Sequence, residues 1–162
     1  MQDVLNVFAK INESVPSKLL LIGDGPERLK MEQLCRNLGL CDSVRFIGKL
    51  KAVEKVLSVS DLFLLPSATE SFGLVALEAM ASRNAIVSTK NGGISELNID
   101  KVTGFLSKVG DIQKMANDII LLLQNQDLLE KFKLNAFDHA SNFDIHKVLP
   151  KYLNVYFQLC QH

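Results

Sequence analysis

The sequence predicts the α/β fold class: a doubly wound parallel sheet with helices on both faces. Three observations carry this. Short apolar runs recur at strand length, the segments between them place apolar residues at three- and four-residue spacing, and the two patterns alternate along most of the chain.

Four runs, "KLLLIG" (residues 18–23), "VRFIG" (44–48), "DLFLLP" (61–66) and "AIVST" (85–89), are apolar or β-branched and close on glycine, proline or a small polar residue. That is the pattern of strands buried on both faces. A fifth strand is expected at "GFLSKV" (104–109). The helical stretches include "DVLNVFAKI" (3–11) and "ERLKMEQLCRNLG", whose apolar residues are Leu29, Met31, Leu34, Cys35 and Leu38 and which Gly39 stops. After the fifth strand only helices are expected, at residues 111–124, 127–141 and 144–160. Each opens at an aspartate suited to N-capping. Pro150 fits the last only as a kink or an early-turn residue, and Tyr152, Tyr156 and Phe157 form an aromatic face expected to pack into the core.

The chain opens on a helix, with no strand before it. In a doubly wound sheet ordered 3-2-1-4-5-6 the strand before the first helix is central. The expected sheet therefore lacks its first, central strand and ends in a helical tail.

At 162 residues the chain is long enough for one compact domain, residues 1–162, and too short for two large ones. Its 18 basic and 18 acidic side chains cancel, so no overall field gathers nucleic acid or an anionic membrane. Cys35, Cys41 and Cys160 are odd in number and lack CxxC spacing, which argues against a disulfide framework or a thiolate zinc site and for a reduced, cytoplasmic setting. No apolar run approaches the roughly 20 residues of a membrane span, and no secretory leader opens the chain. His139, His146 and His162 have no metal-site spacing; surface or capping positions are expected for them.

The chemistry concentrates in "TESFGLVALEAM" (69–80). With "DLFLLP" as a strand and "FGLVALEAM" as the helix after it, Glu70 lies in the loop at the carboxyl edge of the sheet and Glu78 about two turns into the helix. Eight residues of helix span ~12 Å, so the two carboxylates can grip different parts of one extended ligand. Between them Ser71, Phe72, Gly73 and Leu74 offer backbone N–H groups at a helix amino end, where the dipole favours negative charge. Gly73 is expected to clear the way for a ligand to approach that backbone. A phosphate there, with hydroxyl-bearing groups on each carboxylate, describes a sugar nucleotide. The alternative is structural: acidic residues suit the first turn of any helix. "GDGPE" (23–27) lacks both phosphate-loop patterns and reads as a tight turn with Pro26 near a helix start.

The stretches "LLLIGDGPE", "VRFIGKL", "SDLFLLPSATESFGLVALEAMAS", "NGGISEL" and "TGFLSKVGD", in this order and spacing, resemble the C-terminal donor-binding domain of retaining glycosyltransferases of the GT-B type (family 4, group 1). The resemblance covers nearly the whole chain. It implies a Rossmann-like domain that binds a UDP-sugar as substrate, without a metal or other cofactor. Glu70, the first glutamate of the family's E-x7-E motif, would be the catalytic-site carboxylate holding donor-sugar hydroxyls, and Glu78, the second, would hold ribose hydroxyls. Ser71, Phe72, Gly73 and Leu74 would face the sugar and diphosphate, and Ile47, Gly48 and Lys49 the uracil edge.

Within the family the texture of residues 60–80 and of "FDIHKVLPKY" is similar to the branch that uses UDP-N-acetylglucosamine with L-malate as acceptor, in bacillithiol synthesis in bacteria. The chain departs from the family pattern at Arg83 and Ala85, where glycine and proline are usual, and at Ser95, where proline is usual. By the same resemblance, the arginine-lysine loop after the first strand and the N-terminal acceptor domain are absent, so the chain alone is expected to be inactive, and the final helix, which crosses towards the other domain in such enzymes, has an exposed aromatic face as the alternative to core packing. Three readings stay open: the donor half of a glycosyltransferase present as a fragment, a non-catalytic nucleotide-sugar or partner-binding module, and one chain of a two-chain enzyme whose partner supplies the acceptor domain.

Overall fold

The computed structural model describes residues 2–160. All five expected strands are present, β1 (Leu19–Ile22), β2 (Val44–Gly48), β3 (Leu62–Leu65), β4 (Ala85–Thr89) and β5 (Gly104–Ser107). The helices are α1 (Gln2–Ser14), α2 (Arg28–Asn37), α3 (Glu54–Leu57), α4 (Leu74–Ala81), α5 (Ile94–Leu97), α6 (Ile112–Gln124), α7 (Gln126–Ala140) and α8 (Ile145–Cys160), with a 3-10 turn at Ser141–Phe143. His162 lies outside the described residues.

The strands do not form one sheet. β1 pairs with β2, and separately β3 pairs with β4 and β4 with β5, all parallel. The division falls between β1 and β3, where the expected order puts the strand the sequence lacks. β4, central in its sheet, is buried along its whole length. Gly104 is required there because a Cβ would come 1.7 Å from the Ile86 carbonyl oxygen of the neighbouring strand.

Three apolar clusters hold the molecule. α1 contributes to two of them: Val7 and Ile11 pack with α6, α7 and the three-stranded sheet, while Leu5 and Phe8 pack with Met31 and Cys35 of α2 and Val44 of β2. The third joins α4 to α5, α7 and the other face of β4 through Ala76, Met80, Ile86, Ile94 and Ala136. The alternation of α1's buried residues between two clusters makes it the main connection between the two half-sheets.

Asp111 caps α6, its carboxylate accepting from the Lys114 amide at 3.1 Å, and Asp144 accepts from the His146 amide at 2.8 Å ahead of α8. Asp127 is not a cap. Asn125 takes that role, accepting from the Leu128 amide at 3.0 Å, and leaves Asp127 in the first turn, where its charge suits the dipole.

Two expectations about the tail are corrected. α8 carries Pro150 inside it and buries none of its residues: Tyr152, Tyr156 and Phe157 are exposed, because α8 packs on the preceding 3-10 turn and leaves the domain behind. His139 is half-buried rather than on the open surface. Its Nε2 is buried without a hydrogen-bond partner, and its ring meets Phe143 edge-on at 5.5 Å.

Candidate functional site

The site is built where β3 ends. Glu70 to Gly73 form the loop, and Gly73 caps α4 at φ +87°, a left-handed conformation that glycine adopts without penalty. The helix begins at Leu74, so Glu78 sits in its second turn and is exposed. The Glu70 carboxylate folds back onto the helix and accepts from the Gly73 amide at 3.1 Å. A side-chain oxygen thus satisfies one of the four amides that a helix start leaves over. The first intrahelical bonds run from the Ala76 and Leu77 amides to the Gly73 carbonyl, at 2.9 and 3.1 Å. Among the described residues, the amides of Ser71, Phe72, Leu74 and Val75 have no protein acceptor.

This revises the expected amide cradle in two respects. The Gly73 amide is taken by Glu70, so the free donors are its neighbours. The space a Gly73 side chain would fill is also not open, because a Cβ would stand 2.7 Å from Ile94 Cδ1. Gly73 is needed for its backbone angle and for the close approach of α5, not to admit a ligand.

Residues 89–93 hold the loop from behind, and the sequence reading gave them no role of their own. The Thr89 hydroxyl donates to the Ser67 carbonyl at 2.5 Å, Asn91 Nδ2 donates to the Ala68 carbonyl, and the Gly93 amide donates to the Ser71 carbonyl at 3.1 Å. A Cβ on Gly92 would lie 1.8 Å from the Glu70 carbonyl oxygen, and one on Gly93 2.5 Å from that of Ser71. The paired glycines of "NGGISEL" were the available signal: two bare backbone positions in succession mark where another backbone passes close. From the other side Phe72 meets Phe143 edge-on at 6.1 Å, and Phe143 in turn meets His139.

The second group, Ile47, Gly48 and Lys49, lies at the carboxyl end of β2. Gly48 has φ +81° and its carbonyl accepts from the Gly23 amide at 2.9 Å, which ties the ends of β1 and β2 together. Arg28 approaches the same turn, its Nη1 3.5 Å from the position of a Cβ on Gly48, and pairs with Glu32 at 2.9 Å. Lys49 is exposed.

A cavity of about 1440 Å³ has one candidate residue from each half on its wall: Lys49, beside Gly23 and Leu50, and Glu78 of α4, beside Val75. Glu70, Ser71, Phe72, Gly73, Leu74, Ile47 and Gly48 are not among its walls. A smaller cavity of about 340 Å³, walled by Arg83, Glu130 and Lys133 among others, shares no residue with these groups. Among the described residues no three His, Cys, Asp or Glu side chains gather as metal ligands, and no helix is long and apolar enough to cross a membrane.

The parallel sheets flanked by helices make an α/β fold, and the solved structures it superposes on are glycosyltransferases of the GT-B fold. The family model for glycosyl transferases group 1 matches residues 1–139, and the chain belongs to that family. It is 41% identical over 160 residues to an N-acetyl-alpha-D-glucosaminyl L-malate synthase of Bacillus anthracis, covering 98% of this chain and 42% of that protein. It is 34% identical over 159 residues to a 2-deoxystreptamine N-acetyl-D-glucosaminyltransferase of Niallia circulans, covering 93% of this chain and 41% of that protein. Among solved structures, Anabaena Alr3699/HepE in complex with UDP and glucose superposes with a TM-score of 0.87 at 28% identity, over 96% of this chain and 44% of that one. The chain thus spans about two fifths of the length of these relatives.

Proposed function

We propose that this chain is the donor-binding half of a retaining glycosyltransferase, that its substrate is a UDP-sugar, and that the sugar is N-acetylglucosamine. The observation that carries the reading is the amino end of α4, where the Leu74 and Val75 amides lack protein acceptors on a helix flanked by Glu70 and Glu78. The names of the two relatives, both N-acetylglucosaminyl enzymes, and the UDP complex of the solved neighbour support the choice of donor.

The roles are those the family resemblance implies, fitted to this geometry. The free amides and the positive end of the α4 dipole face the diphosphate and stabilise the charge that grows on it as it leaves. This is the work a divalent metal does elsewhere, and we assign none here. Glu78, exposed on the wall of the cleft that Lys49 also lines, accepts from the ribose hydroxyls, and the turn at Ile47, Gly48 and Lys49 takes the uracil edge. Since the Gly48 carbonyl already accepts from Gly23, the neighbouring backbone groups of Ile47 and Lys49 carry most of that contact.

Glu70 has two tasks. A carboxylate has two oxygens with about four lone-pair sites; one oxygen holds Gly73 and the other accepts a donor-sugar hydroxyl. In the retaining reaction the acceptor hydroxyl attacks the anomeric carbon on the face the diphosphate leaves. The bond from that carbon to the phosphate oxygen breaks, its electron pair stays on the oxygen, and that oxygen takes the acceptor's proton. Residues outside this chain supply the acceptor site, with L-malate as the acceptor the first relative's name supports.

Calorimetric titration tests the assignment. UDP-N-acetylglucosamine and UDP should both bind, and inorganic pyrophosphate should bind at least about tenfold more weakly, a difference of about 1.4 kcal/mol. Glu78→Gln should weaken UDP and UDP-sugar alike, whereas Glu70→Gln should weaken the UDP-sugar and leave UDP unchanged. Equal affinity for UDP and pyrophosphate would sink the reading.

A further inference from the structure

The loop into α4 is tied on both sides of Phe72 and unpaired at Phe72 itself. The Ser71 carbonyl accepts from the Gly93 amide at 3.1 Å, and the Gly73 amide donates to Glu70 at 3.1 Å. Among the described residues neither the amide nor the carbonyl of Phe72 has a hydrogen-bond partner. Gly73 follows at φ +87°, and glycine adopts positive and negative φ with similar ease, so the backbone does not dictate where Phe72 points. That is left to its side chain.

The Phe72 ring is 36% exposed, and its one ring contact among the described residues is with Phe143, edge-on with centroids 6.1 Å apart and planes at 68°. Phe143 closes the 3-10 turn after α7 and packs against the cluster that joins α4 to α7 through Ala76, Ala79, Ala136 and Ala140. His139, in the last turn of α7, stands behind it at 5.5 Å and 72°. The buried Nε2 of His139 has no hydrogen-bond partner, so this ring acts on Phe143 by aromatic contact and not through a bond of that nitrogen. Three rings therefore run from a helix packed on α4 to the peptide at the amino end of α4.

We propose that Phe143 is a positioning residue of the donor site. Its edge fixes the Phe72 ring, and with it the direction of the Ser71, Phe72 and Leu74 amides, which lack protein acceptors; His139 holds Phe143 in turn. The inference rests on the donor-binding reading above and adds to it two residues from the end of α7 and the turn after it. Donors already aimed at a ligand's charge need no reorganisation when it arrives. An edge-to-face pair contributes enough for its loss to change affinity about two- to tenfold. A purely structural Phe143 would fill the cluster and do nothing more. Leucine fills that space as well and presents no ring edge, so the two roles separate.

The test is a double-mutant cycle on Phe72→Leu and Phe143→Leu, read by calorimetric titration with UDP-N-acetylglucosamine. Each single change should weaken binding about two- to tenfold. The double variant should bind no more weakly than the weaker single, because both changes remove the same contact. Phe143→Tyr and His139→Phe keep their rings and should bind as the parent chain does, whereas His139→Leu should bind about twofold more weakly or worse. In the NMR spectrum of the ligand-free chain, Phe143→Leu should move the amides of Ser71, Phe72 and Leu74 and leave Lys49 in place. Parent-like affinity of Phe143→Leu, additive losses in the cycle, or equal losses with Phe143→Tyr and Phe143→Leu overturn the proposal. Should Phe143→Leu not fold, the His139 pair decides: equal affinity of His139→Phe and His139→Leu overturns it. Failure of the donor reading shows separately, in the parent chain, as equal affinity for UDP and pyrophosphate.

Discussion

Glu70 serves the fold as well as the proposed chemistry, and the two roles can be separated. Its carboxylate caps the Gly73 amide at 3.1 Å, so Glu70→Ala should cost about 1 kcal/mol in denaturant unfolding, the usual loss for an N-terminal cap. Glu70→Gln keeps an acceptor and should recover more than half of that. Arg83 gives a second prediction at this scale. It holds φ +62°, with its guanidinium 4.7 Å over the Phe137 ring. Arg83→Gly relieves about 1–2 kcal/mol of left-handed strain. It forfeits about 0.5–1 kcal/mol of cation–π attraction, and the freer unfolded chain takes a further ~0.4–1 kcal/mol. The sum should be within about 1 kcal/mol of zero by the same unfolding measurement, and a larger change either way contradicts this accounting. The sequence marked Glu70, Gly73 and Glu78 through residue type and spacing, and the departure at Arg83 through the resemblance to the family. That Glu70 bends back onto Gly73, and that Gly73 faces Ile94, depends on how α5 lies against the loop, which no local pattern encodes.

At the scale of elements, the link between "NGGISEL" and the Glu70 loop decides whether the site is held in shape. Gly92→Ala must place a Cβ 1.8 Å from the Glu70 carbonyl oxygen as well as strain φ +57°, whereas Gly110→Ala at φ +80° meets nothing within 4 Å. The second should cost about 1–2 kcal/mol and the first clearly more, with loss of UDP-sugar binding only in the first. The tail makes the opposite prediction. Since α8 buries no residue, removing residues 145–162 should change the unfolding free energy by less than about 1 kcal/mol. All five strands and the main helices were legible because apolar period and closing residues fix them. The capping residue of α7 was not: Asn125 and Asp127 are both good caps two positions apart, and backbone angles chose Asn125 at φ −125°. The aromatic face of α8 misled for another reason. Amphipathic spacing says that a face wants cover, and it does not say that this domain provides it.

For the whole molecule, the missing central strand was legible as a count, and its consequence was not. The structure answers with two half-sheets and the cleft between them. Lys49 of one half and Glu78 of the other both line that cleft, so the relative position of the halves sets the geometry in which a nucleotide would be gripped. The central claim is that a sugar nucleotide lies along the start of α4. It is tested most directly by amide chemical shifts during titration with UDP-N-acetylglucosamine. The account predicts the largest, saturable shifts at Phe72, Leu74 and Val75, with smaller ones at Lys49 and Glu78. Saturable binding that leaves those three amides unmoved and shifts residues around Arg83 and Lys133 would contradict it.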